Sequence, residues 1–291
     1  MEATTSSPQG VRMLIVHWRR LVRRRPALVF GLVLVLAFTL VAVLGPSMTA
    51  YGPTKTNPRA ILEPPSPQFP FGTDKFGRDI LTRVVHATRL DLGIAASVAL
   101  SAFLVGSLIG SLSGYYGGKV DDLMMRVVDV MFAFPAFILA MAITGVLGDS
   151  VGNVVIAIAT AYVPYFIRLT RSEMLSVRTR QYADAARSVG NPGWRVILIH
   201  LIPNALSPAL VQVALVFSWA ILDAAGLAFL GLGITPPTAE WGVLVSEGAQ
   251  RIITGEWWVW AFPGTAIVLA AFAFSLIGDG LRDVLAHEER R

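Results

Sequence analysis

The 291-residue chain contains no cysteine, and only 15% of its residues are charged. The first absence excludes a disulfide scaffold and any thiolate nucleophile or thiolate metal site. The second sets the chain apart from soluble domains, in which about a quarter of residues are charged. No glycine-rich loop ending in Lys-Ser or Lys-Thr occurs, so the chain has no phosphate cradle of its own. No His/Asp/Glu group has metal-ligand spacing, and neither a metal site nor a catalytic residue is assigned. The stretch GDSVG at 148–152 fits the nucleophile-elbow pattern. It sits in a short turn between two apolar runs, however, where the strand, helix and converging histidine of an elbow have no place.

What is present is apolar. Hydrophobic residues make up 54% of the chain and the mean hydropathy is +0.62. Six stretches are long enough to cross a bilayer, which takes about 20 helical residues: 27–44, 92–115, 123–147, 151–167, 205–232 and 257–277. The first follows Arg23, Arg24 and Arg25 like a signal peptide, but it is long for one and lacks a small-residue cleavage site, so it reads as a retained span. The expected fold class is an all-α polytopic membrane protein with six transmembrane helices. The net charge of +5 reflects cytoplasmic loops rather than a nucleic-acid partner. With both termini inside, the inner segments collect Arg12, Arg19, Arg20, Arg23 to Arg25, Lys119, Arg282, Arg290, Arg291 and the arginines of one polar gap. That gap holds Arg168, Arg171, Arg178, Arg180, Arg187 and Arg195. Trp257, Trp258 and Trp260 then form an aromatic anchor at the outer face.

Seven prolines between residues 45 and 71 predict an extended external connector, and residues 79–89 a short surface helix leading into the second span. In that span Ala102, Gly106, Gly110 and Gly114 recur every fourth residue, a spacing that lets two helices approach closely. Packing within one bundle and a subunit interface both fit. Pro135 and Pro164 mark kinks in the third and fourth spans. Arg126 and Asp129, at i and i+3, predict a local ion pair. Asp223 falls in the outer half of the fifth span, where a carboxylate needs a partner or a watery cavity. A structural hydrogen bond to neighbouring backbone and a place along a watery cavity are the alternatives.

The polar gap contains YADAARSVGNPGW at 182–194. Tyr182, Ala185, Ala186 and Val189 share one helical face. Gly190 ends the helix in a left-handed conformation, Asn191 caps the next, and Pro192 occupies its first turn. Small residues on the apolar face suit a protein groove better than a lipid surface.

Here the sequence resembles a family. Asp184-Ala185-Ala186, Gly190 and Pro203 are similar to the EAA loop of ABC importer permeases, with Asp184 for the usual glutamate, His200 for isoleucine and Ile202 for leucine. The segment FGTDKFGRDILTRVVHATR at 71–89 resembles the GTDxxGRD signature of the dipeptide/oligopeptide/nickel permeases. LAFLGLGITPPTAEWG at 227–242, FPG at 262–264 and GDGLRDVL at 278–285 continue the likeness to the C-terminus.

The resemblance implies a type I ABC importer transmembrane fold with a cytoplasmic coupling-helix hairpin. Its parts would be a cytoplasmic tail (1–26), a first transmembrane helix (27–47), an external segment (48–91), a permease core (92–285, coupling loop 172–203) and a tail (286–291). Tyr182, Asp184, Ala185, Ala186, Gly190 and Pro203 would couple to ATPase subunits, and Asp223 is the candidate pathway residue. The implied partners are a homologous permease, two ABC ATPase subunits or one fused, an extracytoplasmic peptide-binding lipoprotein, and lipid. ATP and Mg would be bound by the partners, leaving this chain without a cofactor. The implied place is the bacterial cytoplasmic (inner) membrane. A nickel or other small-solute permease is the alternative within the family, and a secondary transporter the alternative outside it.

Overall fold

A computed structural model describes residues 25–288. The expected tail at 1–26 lies outside them but for its last two residues, and so do residues 289–291 of the C-terminal tail. Every regular element among the described residues is helical, apart from an isolated bridge between Thr73 and Asp79. In chain order these are α1 (Pro26–Met48), α2 (Ile80–Tyr116), α3 (Gly118–Phe132), α4 (Ala136–Leu147), α5 (Val151–Val177) and α6 (Gln181–Ser188). There follow α7 (Gly193–Arg195), a π-helical turn (Val196–Leu201), α8 (Ile202–Ala205), α9 (Ser207–Phe229), α10 (Trp241–Ala249) and α11 (Trp258–Glu288). Five of these helices are long and apolar enough to span a membrane, and a sixth span results if α3 and α4 are taken together.

Those two are not one straight helix, as the third apolar run had suggested. They meet at 90°. Pro135 has no N–H to donate and drives the residue before it out of the helical region, so the chain turns there and restarts with Pro135 as the cap of α4. Pro164 lies inside α5 without breaking it. The difference is tertiary, because α2 runs along α5 on both sides of Pro164.

That contact is made by the small-residue stripe, which packs within the chain. Ala102 is fully buried. A Cβ on Gly106 would stand 2.7 Å from the Val163 carbonyl, one on Gly110 2.4 Å from the Ile167 carbonyl, and one on Gly114 2.8 Å from the Arg171 carbonyl. The backbone of α5 therefore occupies the space that side chains on α2 would fill. The core continues through α9 and α11, with Phe217 and Phe274 stacked at 3.8 Å.

Two expectations for the proline-rich segment are corrected. No separate surface helix forms at 79–89, because α2 is continuous from Ile80. Its buried residues Ile80, Val84, Ala87, Asp91, Ile94, Ala95 and Val98 give one unbroken inward stripe. The segment before it is a series of pinned turns rather than an extended connector. Thr73 Oγ1 donates to the Ala60 carbonyl and accepts from Glu63 N, while Asp74 Oδ1 accepts from the backbone of Phe76 and Arg78. Gly77 has φ +69°, and a Cβ there would lie 1.9 Å from the Asn57 carbonyl, so the turn admits only glycine. The Arg78 guanidinium donates to Asp74 and to both oxygens of Glu247 in α10, and Arg83 reaches Glu247 at 3.1 Å. Asp79 caps α2 through Thr82. Trp258 donates to the Thr73 carbonyl, tying α11 to the same cap.

The loop after α9 closes over this end. Trp241 is fully buried, its indole donating to the Val84 carbonyl and its backbone N–H to Asp91. Glu240 is fully buried as well, caps α10 through Val243 N and faces the Asp91 carboxyl in a side-chain hydrogen bond. A bond between two carboxyls holds one proton, and burial pushes the Glu240 carboxyl above its ordinary range.

Candidate functional site

At the opposite end of the bundle from this cap, α6 and α7 form the hairpin of the polar gap. Gly190 takes φ +81°, which lets the chain leave α6 without a Cβ penalty. Asn191 does not cap the second helix. Its side chain reaches back to the Ala186 carbonyl at 3.0 Å, and Pro192 is the cap residue of α7. The second helix then widens into a π turn just before Pro203, whose ring lacks an N–H and crowds the carbonyl four residues earlier.

The inward face of α6 is Ala183 and Ala186, which pack with Met174, Val177, Val196, Ile197, Leu201 and Ala205. The predicted face is thus corrected at one position. Ala186 points into the chain, while Tyr182, Ala185 and Val189 share an exposed face. Together with Trp194 they leave an apolar surface uncovered, and Asp184 and Pro203 are exposed beside it.

Arginines strap this hairpin to α2. Arg178 donates to the carbonyls of Gly114 and Tyr115, the last turn of α2, where a cation also complements the helix dipole. Arg187 donates to the Arg178 carbonyl and to Asp184. Arg171 makes a bidentate pair with Asp121, which also accepts from Ser113. A cleft of about 530 Å³ lies between Tyr115, Arg178, Thr179, Asp184 and Arg187.

The charges within the spans fall differently from the sequence expectation. Asp129 pairs with Arg168 of α5 at 2.7 Å, not with Arg126, because a partner on a facing helix offers better geometry than one on the same helix. The Arg168 guanidinium also lies 4.5 Å from the Phe132 ring centre. Asp223 accepts a hydrogen bond of 2.7 Å from the Tyr162 hydroxyl, a side-chain partner rather than the backbone one envisaged. A carboxylate at the centre of a span costs about 2.5–3.5 kcal/mol, and a hydroxyl bonded to a charged group offsets about 1.5–3 kcal/mol of that. The Tyr162 ring in turn packs with those of Tyr165 and Trp219, with centroids 5.7–5.9 Å apart. Nothing in the sequence pairs Tyr162 with Asp223, 61 positions away.

The described residues form an apolar helical bundle of five or six candidate membrane spans with a strapped polar hairpin at one end. Residues 106–291 match the family described as "Binding-protein-dependent transport system inner membrane component", and residues 14–65 match "N-terminal TM domain of oligopeptide transport permease C". The chain belongs to this family of ABC importer permeases and is an integral inner-membrane protein.

Among its relatives, the dipeptide transport system permease protein DppC of Alkalihalophilus pseudofirmus is 40% identical over 287 residues, 98% of this chain and 94% of the relative. A putative peptide transport system permease of Brucella suis is 43% identical over 276 residues, covering 95% of this chain and 92% of the relative. DppC of Escherichia coli is 40% identical over 286 residues, covering 96% and 95%. The MetNI methionine ABC transporter, solved in inward-facing conformations, shares the fold with a TM-score of 0.55. It is 19% identical and covers 69% of this chain and 96% of its own.

Proposed function

We propose that this chain is one of two permeases of an ATP-driven importer for di- and oligopeptides. The observation that carries the reading is relatedness of about 40% identity over nearly the whole chain to permeases named for dipeptide transport. In this reading the termini and the hairpin face the cytoplasm. Two ABC ATPase subunits, or one fused, dock on the exposed face of Tyr182, Ala185 and Val189, and they bind the ATP and Mg. Asp184, Gly190 and Pro203 shape that face, while Ala186 supports it from within. A second, homologous permease completes the pathway, to which Asp223 belongs. An extracytoplasmic peptide-binding lipoprotein docks on the cap built from residues 49–79 and 231–257.

Transport then requires ATP to bind two arrangements of the hairpins with different affinity, since only a difference in affinity shifts a conformational equilibrium. The straps from Arg178 and Arg187 carry hairpin displacement into α2. The test is uptake of radiolabelled Gly-Leu in cells lacking other peptide permeases, with and without this chain and its neighbouring subunits. Uptake that depends on the chain supports the reading. Chain-dependent uptake of nickel with none of peptide would overturn it.

A further inference from the structure

Asp223 carries a charge within a span, bonded to the Tyr162 hydroxyl, whose ring belongs to an aromatic cluster. The carboxylate has no ion-pair partner among the described residues, and its one hydrogen bond comes from Tyr162. A carboxylate can accept about four hydrogen bonds, so most of its capacity is unused. Its side chain is only half-buried. Tyr162 and Trp219 stack at 28°, Tyr165 tilts against both, and Phe132 meets Tyr165 edge-on at 4.9 Å. The opposing charge on the same face, Arg168, is already paired with Asp129 and lies over Phe132. What remains is a negative charge without an ion-pair partner among the described residues, bonded to the tyrosine that joins two other aromatic rings.

We propose that Asp223, Tyr162, Tyr165 and Trp219 form a binding site for a primary ammonium group, the free amino end of the peptide in transit. This deepens the peptide reading above and rests on it for the identity of the cargo. A carboxylate supplies the counter-charge. Ring faces within about 6 Å attract a cation through their quadrupoles while excluding anions from the same space. Tyr162 holds the carboxylate through one hydrogen bond and leaves its other lone pairs for a ligand. Arg168, the cation one turn beyond Tyr165 on α5, is already paired with Asp129, so the proposed site reads the amino end.

The absence of native cysteine makes the site directly addressable. The full complex, with its other subunits freed of cysteine, would carry Trp219→Cys and be treated with 2-aminoethyl or 2-sulfonatoethyl methanethiosulfonate. Each rate is normalised to that reagent's rate with a free thiol. The ammonium reagent is expected to react about tenfold faster than the sulfonate, consistent with one nearby charge at intermediate dielectric. Adding Asp223→Asn should bring the ratio close to one. Millimolar Gly-Leu should slow the labelling, and N-acetyl-Gly-Leu should not.

In uptake assays without the cysteine, Asp223→Asn should lower the maximal rate for Gly-Leu about tenfold, and Asp223→Glu should recover most of it. A labelling ratio unaffected by Asp223→Asn overturns the site, whatever the chain carries. Failure of the native complex to import peptide instead refutes the peptide reading, and the labelling ratio still decides whether this pocket selects cations. Equal protection by the free and acetylated dipeptides also overturns the proposal.

Discussion

Gly110→Ala replaces one hydrogen with a methyl group, and the structure gives the consequence a sign. The new Cβ would lie 2.4 Å from the Ile167 carbonyl oxygen and 3.1 Å from the Arg171 nitrogen, both backbone atoms of α5. That is about 1 Å inside the usual carbon–oxygen contact of 3.3–3.6 Å. No rotamer change relieves it, so α2 and α5 must separate along a face on which Gly106 and Gly114 are equally close. Overpacking of this kind costs about 1–3 kcal/mol. Replacing glycine by alanine in a helix returns up to about 1 kcal/mol, so the net effect is loss.

Gly93 is the control, in the same helix but exposed, with nothing within 4 Å of its would-be Cβ. Gly93→Ala should be neutral or stabilising. At about 2–4 °C per kcal/mol for a chain of this order, the two variants should differ by about 5 °C in thermal unfolding. The scans use the purified complex at one fixed rate, because irreversible unfolding makes the midpoint rate-dependent. Equal midpoints for Gly110→Ala and Gly93→Ala would refute the close α2–α5 contact and return the stripe to a subunit interface.

Glu247→Gln should destabilise the cap by about 3–5 kcal/mol, because it leaves Arg78 and Arg83 buried with one counter-charge in place of two; protease sensitivity of residues 49–79 reports it. Glu240 gives a pH dependence. Its raised carboxyl keeps its proton in the folded state at pH values where the unfolded chain, with an ordinary carboxyl pKa of about 4.3, has begun to lose it. Stability should therefore fall as pH rises from about 4.3 towards the raised value, by up to about 1.4 kcal/mol per unit, and Glu240→Gln should flatten that slope in thermal unfolding. Ala185→Glu, on the exposed face of α6, should abolish co-purification of the ATPases while the permease stays folded. Ala186→Glu should instead unfold the hairpin itself, seen as new trypsin cleavage after Arg187; identical behaviour of the two variants would contradict the two-faced helix.

The spans were legible because a bilayer demands about 20 apolar residues in a row, and a chain with so few charged residues can satisfy that in only a few places. What lay against each span was not. The stripe of Gly106, Gly110 and Gly114 announces a flat surface, but periodicity carries no information about the helix that covers it. Asp129 shows the same limit for charge, since Arg168 is 39 positions away and outcompetes the local Arg126. On α6 the 3.6-residue period was visible, yet with three alanines in six residues two faces were equally small, and only tertiary packing chose Ala183 and Ala186. The signature at 71–89 was recognisable as a string, while its physical content was hidden. Gly77 serves a turn against Asn57, Arg78 a buried ion pair with Glu247, and Asp79 the cap of α2, and the first two partners lie in other segments.

The topology also bears on how the hairpin and the ammonium site could communicate. The chain enters the hairpin from α5 and leaves it through α9, and the Tyr162–Asp223 hydrogen bond joins those same two helices again. From Tyr162 to the hairpin end of α5 is about 22 Å, and from Ser207 to Asp223 about 24 Å, at 1.5 Å per residue. The hairpin and the hydrogen bond are therefore the two rungs of one long ladder whose rails are continuous helices. Axial sliding of one rail against the other at the hairpin reaches the second rung almost undiminished, because a hydrogen-bonded helix is stiff along its axis. A bond of 2.7 Å tolerates only a few tenths of an ångström before it weakens. On the proposed function, a cation bound at Asp223 would favour one register of α5 on α9 over another, and ATPases docked on α6 would favour one as well. Coupling between cargo and ATP then needs no relay of side chains through the core, only that both ligands prefer the same register.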